Sequence, residues 1–226
     1  MNIWIKRWSV ENSLLAIFFC VTTLLFFLTL LNIQSQEMLD IYTNGLSEKN
    51  SITFFIEENE NIKLKEMNEQ IDESFLLLKR GVDSTKKIHA VFNKGLEFFL
   101  PVKSGRFFEV KDYFQEQRLA VIGEDYEEVQ RVDGLRYIEF EGKIFKVIGI
   151  LDTPVESSLN KEAFINLDVY EELNLKEPSL PYLLNGRNQT EKIFKKLNQI
   201  NEHLSTSTLQ VGNKGTGRIF SASSLP

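Results

Sequence analysis

The sequence is poor in the residues that build disulfides and transition-metal sites. It contains one cysteine and two histidines in 226 residues. Cys20 lies inside an uncharged apolar run, where we expect an inert thiol, and no cysteine remains elsewhere to pair with it. His89 and His203 are far apart and match no metal-binding spacing. We therefore predict no metal site and expect both histidines at the surface or rim of the protein.

Catalytic and nucleic-acid-binding patterns are also missing. The chain has no G-x-S-x-G sequence, and the glycine-rich stretch 212–217 lacks the Lys-Ser/Thr pair and the following apolar helix of a phosphate-binding loop. The net charge is −6, and basic residues are scattered among acidic ones, which is unlike a nucleic-acid-binding face. The sequence therefore predicts a protein that is not an enzyme, has no cofactor and binds no nucleic acid.

What the sequence does have is a long apolar run. Residues 14–31 read LLAIFFCVTTLLFFLTLL without a charge, and Asn32 and Ile33 can extend the run. A helix of this length spans a hydrocarbon core of about 30 Å, and a helix that is apolar on every face is rarely found in a soluble core. We predict a transmembrane helix over 14–33, with the lipid bilayer as the first partner of this chain.

The charges that flank the run predict its orientation. Lys6 and Arg7 precede it, whereas Glu37 and Asp40 follow it. The positive-inside rule then places segment 1–13 in the cytoplasm and the main domain outside a bacterial cell membrane, in a single-pass protein. A cleaved signal peptide would need small residues near its cleavage site, and 31–36 is bulky instead. We therefore expect a retained anchor.

Three threonines lie within the predicted span. Thr22, Thr23 and Thr29 are candidates for a contact with another membrane helix, because hydroxyls can hydrogen-bond across a helix interface. The alternative is that they bond the carbonyls of their own helix.

The rest of the chain predicts an α+β domain. A polar linker over 34–50, which can continue the membrane helix, precedes a core domain over 51–211, and a flexible tail follows over 212–226. Periodic apolar residues predict a helix from Leu64 to about Arg80, ended by Gly81. The other elements predicted with it are a strand over 51–56, a strand over 118–122 and a hairpin over 137–151 turning at Glu141 and Gly142.

The last third alternates strands and helices. Strands are predicted over 163–166, 181–184 and 208–211. Asp168 with Glu171, and Asn188 with Glu191, have the spacing of helix N-terminal capping residues. The second of these helices has its apolar face at Ile193, Leu197, Ile200 and Leu204.

Three segments in order carry a family resemblance: LPVKSGRFFEVKDYFQEQRLAVIGEDY, FEGKIFKVIGILD and KEAFINLDVYEEL. Together they resemble the extracytoplasmic (MacB-like periplasmic) core domain of MacB/FtsX-type ABC transporter permeases, which likewise follows one N-terminal membrane helix. The residues that match the family pattern are Gly105, Arg106, Phe107, Phe108, Gly123, Glu124, Gly142, Phe145 and Gly149.

The resemblance implies a two-lobed α+β domain of strand–helix–strand units and a hairpin-rich lobe. It also implies that a separate cytoplasmic ABC ATPase drives a permease, whose motion the external domain passes to a substrate or partner. This sequence departs from the family pattern in two places. A Pro-x-Gly motif is missing at 132–135, and no further membrane helices follow the domain. We therefore expect a shorter loop there, and a polytopic permease subunit or a second copy as partner. A fragment of a longer permease and a truncated paralogue remain open.

Physical roles can be assigned to the motif residues without catalysis. We expect Gly105 and Gly123 at turns that need a positive φ, Phe107 and Phe108 in the core, and Arg106 on loop carbonyls or a carboxylate. The alternative function is a single-pass sensor or binding module that captures a peptide or lipid without an ATPase.

Overall fold

The computed structural model of the chain describes residues 2–43, 46–48, 50–56, 62–97, 100–153, 157–173, 175, 180–201 and 204–206. The chain divides into two compact units, Met1–Leu46 and Ser47–Pro226. The predicted strand over 208–211, the tail over 212–226 and His203 lie outside the described residues.

The first unit is one continuous helix, α1, which runs from Asn2 to Thr43. Its segment Asn12–Asn32 has a mean hydropathy of 2.7 and is not buried, so by length and composition it can cross a membrane. The helix continues through Thr43 without a break, and the polar segment after the span is therefore helical over most of its length.

The second unit is a mixed sheet with three short helices. The helices are α2 (Leu64–Gln70), α3 (Leu167–Glu172) and α4 (Thr190–Ile200). The strands are β1 (Ile52–Ile56), β2 (Phe75–Asp83), β3 (Ile88–Lys94), β4 (Val102–Gly105), β5 (Leu119–Gly123), β6 (Gln130–Val132), β7 (Leu135–Phe140), β8 (Lys143–Leu151), β9 (Ala163–Asn166), β10 (Tyr182–Asn185) and β11 (Leu204–Thr206).

All described strands belong to one sheet, in the order β11-β1-β10-β2-β3-β9-β5-β8-β7-β6, with β4 beside β8. The units β1-α2-β2 and β10-α4-β11 interleave, because β10 lies between β1 and β2 while β1 lies between β10 and β11. The predicted α+β class is confirmed. The strand–helix–strand units and the hairpin-rich segment are two halves of a single sheet.

The helix predicted from Leu64 to Arg80 is wrong over its second half. Helix α2 ends at Gln70, and β2 begins at Phe75 between β10 and β3. The four apolar residues from Phe75 to Leu78 are all buried, so this run fills both faces of a central strand. A short continuous apolar run satisfies helical and strand patterns alike. Gly81 adopts φ 69° within β2, at an irregularity in its pairing with β3, and is not a helix end.

Both predicted capping pairs are also wrong. The N-cap residue of α3 is Asn166, and Asp168 instead accepts a hydrogen bond from the Phe114 N–H at 2.6 Å. Before α4 the chain forms a 3-10 turn, Arg187–Gln189, and the Thr190 hydroxyl accepts the Gly186 N–H at 3.0 Å. Neither residue is therefore an N-cap. Asp168 lies inside α3 and binds the distant Phe114 N–H, and Asn188 lies inside the 3-10 turn before α4.

The predicted hairpin and helix face agree better with the structure. Strands β7 and β8 pair around Glu141 and Gly142, at φ 48° and 65°, as in a two-residue type I′ turn. The departure from the family pattern at 132–135 is the tight hairpin between β6 and β7. On α4 the predicted apolar residues Ile193, Leu197 and Ile200 are buried, whereas Leu204 belongs to β11.

Candidate functional site

Three of the four family-pattern glycines, Gly105, Gly123 and Gly149, mark places where two backbones touch. Gly105 ends β4 and pairs with Gly149 of β8. A Cβ on Gly105 would lie 2.1 Å from the Ile148 carbonyl oxygen, and a Cβ on Gly149 would lie 2.1 Å from the Arg106 carbonyl oxygen. Gly105 also has the expected positive φ, 72°. Only a residue without a Cβ fits at either position.

Gly123 has a different role from the one expected. Its φ lies outside the left-handed region, so no turn requires a glycine there. A Cβ on Gly123 would lie 2.2 Å from the carbonyl carbon of Asn160, and the Gly123 N–H donates to the Glu162 carbonyl at 2.8 Å. Close packing of β5 against the turn before β9 therefore selects glycine.

Arg106 joins the two ends of a short loop. Its guanidinium donates to both carboxylate oxygens of Asp112, with Nη2 at 2.6 Å from Oδ1, and to the Phe107 carbonyl at 3.1 Å. The hydrogen bond to Asp112 raises the pKa of Arg106. Burial raises the pKa of Asp112, but the bonds from Arg106 and from the Glu109 N–H prevail and lower it. The arrangement closes the loop after the Gly-Arg-Phe-Phe motif.

Polar side chains of the sheet anchor the rest of this loop, which we call the motif loop (residues 106–118). Asn93 of β3 donates to the Phe108 carbonyl at 3.1 Å, and its own N–H donates to the Tyr113 hydroxyl at 2.9 Å. Asn166 of β9 donates to the Gln117 carbonyl at 3.0 Å. Neither asparagine was predicted as a site residue; an amide within an otherwise apolar strand indicates only that its polar groups need some partner.

The loop is also packed by aromatic rings. Tyr113 is buried, stacks on Phe108 with centroids 6.1 Å apart and lies 4.6 Å from Phe92. Burial raises the pKa of Tyr113 well above its ordinary value, and burial also raises the pKa of Asp168. Phe108 is buried as expected, whereas Phe107 is half-buried. These groups hold the loop and present no activated nucleophile or base.

A second polar cluster lies where α3 meets β2 and β10. The Lys79 ammonium is 2.8 Å from the Tyr182 hydroxyl and 3.2 Å from Glu171, and it lies 4.7 Å from the ring centroids of Tyr170 and Tyr182. The Tyr182 hydroxyl donates to Glu171 at 2.6 Å. Burial, then the charge of Glu171, raises the pKa of Tyr182. The cluster stabilises α3 on the sheet, because every polar group in it is paired.

His89 is not at the rim. Its side chain is 15% exposed, its Nδ1 accepts the Gly81 N–H at 2.9 Å, and its Nε2 lies 3.6 Å from a Glu162 carboxylate oxygen. Burial, helped by the charge of Arg80, lowers the pKa of His89 to about 4, so the ring is neutral at neutral pH. Within the described part of the chain, no cluster of His, Cys, Asp and Glu side chains could hold a metal ion.

The three threonines of the span bond their own helix. Thr22 donates to the carbonyls of Phe18 and Phe19 at 3.0 Å, and Thr23 donates to Phe19 at 2.7 Å. Thr29 donates to the Leu25 carbonyl at 2.8 Å. A contact of these residues with another membrane helix stays a prediction.

No protein-family model and no curated protein matches the chain. Among solved structures, the chain is similar to the extracellular domain of the noncanonic ABC-type transporter YknZ from Gram-positive bacteria. The identity is 13% and the TM-score 0.38, over 70% of this chain and 100% of that chain. It is also similar to the periplasmic region of MacB from Actinobacillus actinomycetemcomitans, at 15% identity and a TM-score of 0.39, over 70% of this chain and 88% of that chain.

Proposed function

We propose that this chain is a non-catalytic, membrane-anchored component of an ABC-type transporter. Helix α1 crosses the cell membrane with its N-terminus in the cytoplasm, and the sheet domain works outside. A separate cytoplasmic ATPase hydrolyses ATP, and the external domain passes the resulting motion to an extracytoplasmic substrate or partner. A polytopic permease subunit or a second copy of the chain is its partner in the membrane.

The continuity of α1 is the observation that carries this proposal. The helix has 42 residues, of which the apolar segment uses 21. At about 1.5 Å per residue it is about 63 Å long, roughly twice the hydrocarbon core of a bilayer. No break in the helix separates the apolar segment from the residues up to Thr43. A displacement of the span is therefore transmitted along a stiff rod, which a simple anchor does not require.

The motif loop gives the external domain a matching rigidity. Backbone contact at Gly105 and Gly149, the pair of Arg106 with Asp112 and the bonds from Asn93 fix the loop to the sheet. A domain whose loops are held in this way moves as a body. The side chains that hold the motif loop favour a mechanical role over a catalytic one, because each is already engaged in a structural hydrogen bond.

The test is co-purification from the native membrane in mild detergent. We expect the tagged full chain to retain an ABC ATPase together with a polytopic permease or a second copy. Replacement of residues 14–31 by an unrelated poly-Leu span should leave the domain displayed on the cell but abolish the association, because contacts between membrane helices are lost.

A variant with Gln36→Pro is the matched control for stiffness. It keeps the apolar segment but breaks α1 beyond it. We expect the partner to remain bound while transport-linked ATPase stimulation falls. If the poly-Leu chain retains the same partner, recognition belongs to the external domain, and the sensor or binding-module alternative replaces the transporter.

A further inference from the structure

The hairpin of β6 and β7 forms an end of the sheet that the transporter proposal does not use. Strand β6 is the last strand in the order, and on its outer side it pairs with no described strand. Asp133 and Gly134, at φ 50° and 77°, form the turn. Val132 therefore lies opposite Leu135, and Arg131 opposite Arg136.

The open edge of β6 carries unused backbone groups. In an antiparallel pair, hydrogen-bonded and non-hydrogen-bonded residue pairs alternate. Val132 and Leu135 flank a two-residue turn and form a hydrogen-bonded pair, so Arg131 and Arg136 form the next, non-hydrogen-bonded pair. The N–H and C=O of Arg131 then point away from β7, toward the open edge, where an added strand can bind them.

Arg131 and Arg136 occupy directly opposite positions on the two strands. Side chains are closest in a non-hydrogen-bonded pair, and like charges directly opposite each other destabilise a sheet. Among the residues that the structure describes, no carboxylate forms an ion pair with Arg131 or Arg136. This end of the sheet therefore holds two arginines without an ion-pair partner, next to backbone groups of Arg131 that no described strand binds.

The opposite face of the same hairpin carries exposed apolar side chains. Val132 is 54% exposed and Leu135 is 45% exposed, and Ile144 on the neighbouring strand β8 is 47% exposed. Because side chains alternate along a strand, Val132 and Arg131 project to opposite faces of β6. A strand added at this edge meets positive charge on one face and apolar surface on the other.

We propose that the open edge of β6 binds an extended segment of another protein in which acidic and apolar residues alternate. Main-chain hydrogen bonds to Arg131 hold the segment as an added strand, its carboxylates lie against Arg131 and Arg136, and its apolar side chains cover Val132. This interaction goes beyond the transporter proposal, because it uses no part of the membrane helix.

Other occupants fit less well. A second copy paired edge to edge would bring the Arg131 side chains of both copies together, which is repulsive. An anionic membrane would meet the Asp133 carboxylate at the tip of the turn and would leave the backbone edge without partners. Edge protection is the remaining alternative, since a charged, short edge strand deters aggregation without binding anything.

The experiment uses the full chain in nanodiscs of zwitterionic lipid and fluorescence anisotropy of a labelled peptide of alternating Val and Glu. We expect this peptide to bind and the same peptide with Lys in place of Glu not to bind. Replacement of both arginines, Arg131→Ala with Arg136→Ala, should weaken binding at least about tenfold. Added salt should weaken it as well, because salt screens the attraction between charged groups at a protein surface. The control Arg131→Lys with Arg136→Lys should retain most of the affinity.

A pair of single variants tests the backbone. Arg131→Ala and Arg131→Pro both remove the guanidinium, but only proline removes the outward N–H. We expect weaker binding by the proline variant, and slower hydrogen exchange of the β6 segment when the peptide binds. Unchanged circular dichroism shows that each variant is folded.

The outcomes separate the alternatives. Equal affinity for the acidic and basic peptides overturns the proposal, as does equal affinity of the two Arg131 variants. Arginine-dependent binding to vesicles of anionic lipid, without peptide binding, assigns the surface to the membrane instead. Self-association of the double alanine variant without peptide binding assigns it to edge protection. Peptide binding should survive replacement of residues 14–31 by poly-Leu. Failure of the peptide-binding proposal is therefore distinguishable from failure of the transporter proposal.

Discussion

Gly105 and Gly149 lie opposite each other in β4 and β8, and neither has room for a Cβ, because Gly105 faces the Ile148 carbonyl oxygen and Gly149 faces the Arg106 carbonyl oxygen. The contact lets β8 carry β5 on one side while β4 and β7 share its other side. The contact therefore holds the start of the motif loop against β8, in the hairpin-rich half of the sheet.

Gly105→Ala should destabilise the domain much more than Gly142→Ala. Both glycines have a positive φ, 72° and 65°, so the backbone strain is similar, about 1–2 kcal/mol. Only Gly105 meets backbone at 2.1 Å, whereas Gly142 has open space around it. We expect an additional cost of about 1–3 kcal/mol at Gly105. Urea denaturation of the full chain in detergent measures the difference, and equal midpoints would contradict the steric account.

Arg106→Ala should loosen the motif loop by leaving the Asp112 carboxylate, which is 6% exposed, without its guanidinium. We expect a loss of about 1–3 kcal/mol near neutral pH, and a smaller one for Asp112→Asn, which still accepts the Glu109 N–H. The pKa of Asp112 is lowered in the fold, so its contribution is present above the unfolded pKa and is lost as the pH falls through the folded one. Denaturation of the natural chain and of the Arg106→Ala chain should therefore show that the difference between their free energies of unfolding decreases as the pH falls.

His89 should make the fold sensitive to mild acid. Its pKa falls from 6.5 to about 4 on folding, so the unfolded chain takes up the proton first as the pH decreases. Stability is then lost between those two values, by about 3 kcal/mol at most. Burial raises the pKa of Glu162, which opposes this trend. His89→Gln retains an acceptor for the Gly81 N–H and does not titrate.

Denaturation midpoints at about pH 7 and about pH 5 measure the effect, since an unperturbed histidine titrates between them. We expect the midpoint to fall for the natural chain and to stay nearly constant for His89→Gln. Glu162→Gln, which removes the opposing titration, should steepen the fall. If the midpoint does not change with pH in either the natural chain or the Glu162→Gln chain, the His89 ring is not held neutral in the fold.

The predicted orientation can be tested by labelling. With Cys20→Ala, a Glu127→Cys chain should react with a membrane-impermeant thiol reagent on intact cells, because residue 127 is exposed on the sheet domain. Glu11→Cys is the matched control on the other side of the span, and it should react only after lysis. The opposite pattern would place the sheet domain in the cytoplasm and remove the basis of both proposals about partners outside the cell.

The sequence predicted correctly those elements that depend only on neighbouring residues. The turn at Glu141 and Gly142 and the apolar span of α1 need no tertiary information, and both were found from sequence. Phe75 to Leu78 could not be assigned in this way, because a central strand and a buried helix present the same apolar run. The role of Gly123 depends on Asn160, which approaches it only through the fold. For the same reason, the bonds from Asn93 and Asn166 to the motif loop could not be predicted.

The interleaving of β1, β10 and β2 constrains the order in which the chain can fold. Strand β2 hydrogen-bonds to β10, and β10 separates it from β1, so the N-terminal half of the sheet stays incomplete until residues 182–185 have been synthesised. Pairings this distant along a chain form slowly, because the intervening loop must close first. In the membrane-anchored chain proposed above, the domain therefore emerges with open strand edges, and it depends on protection from aggregation until β10 is inserted.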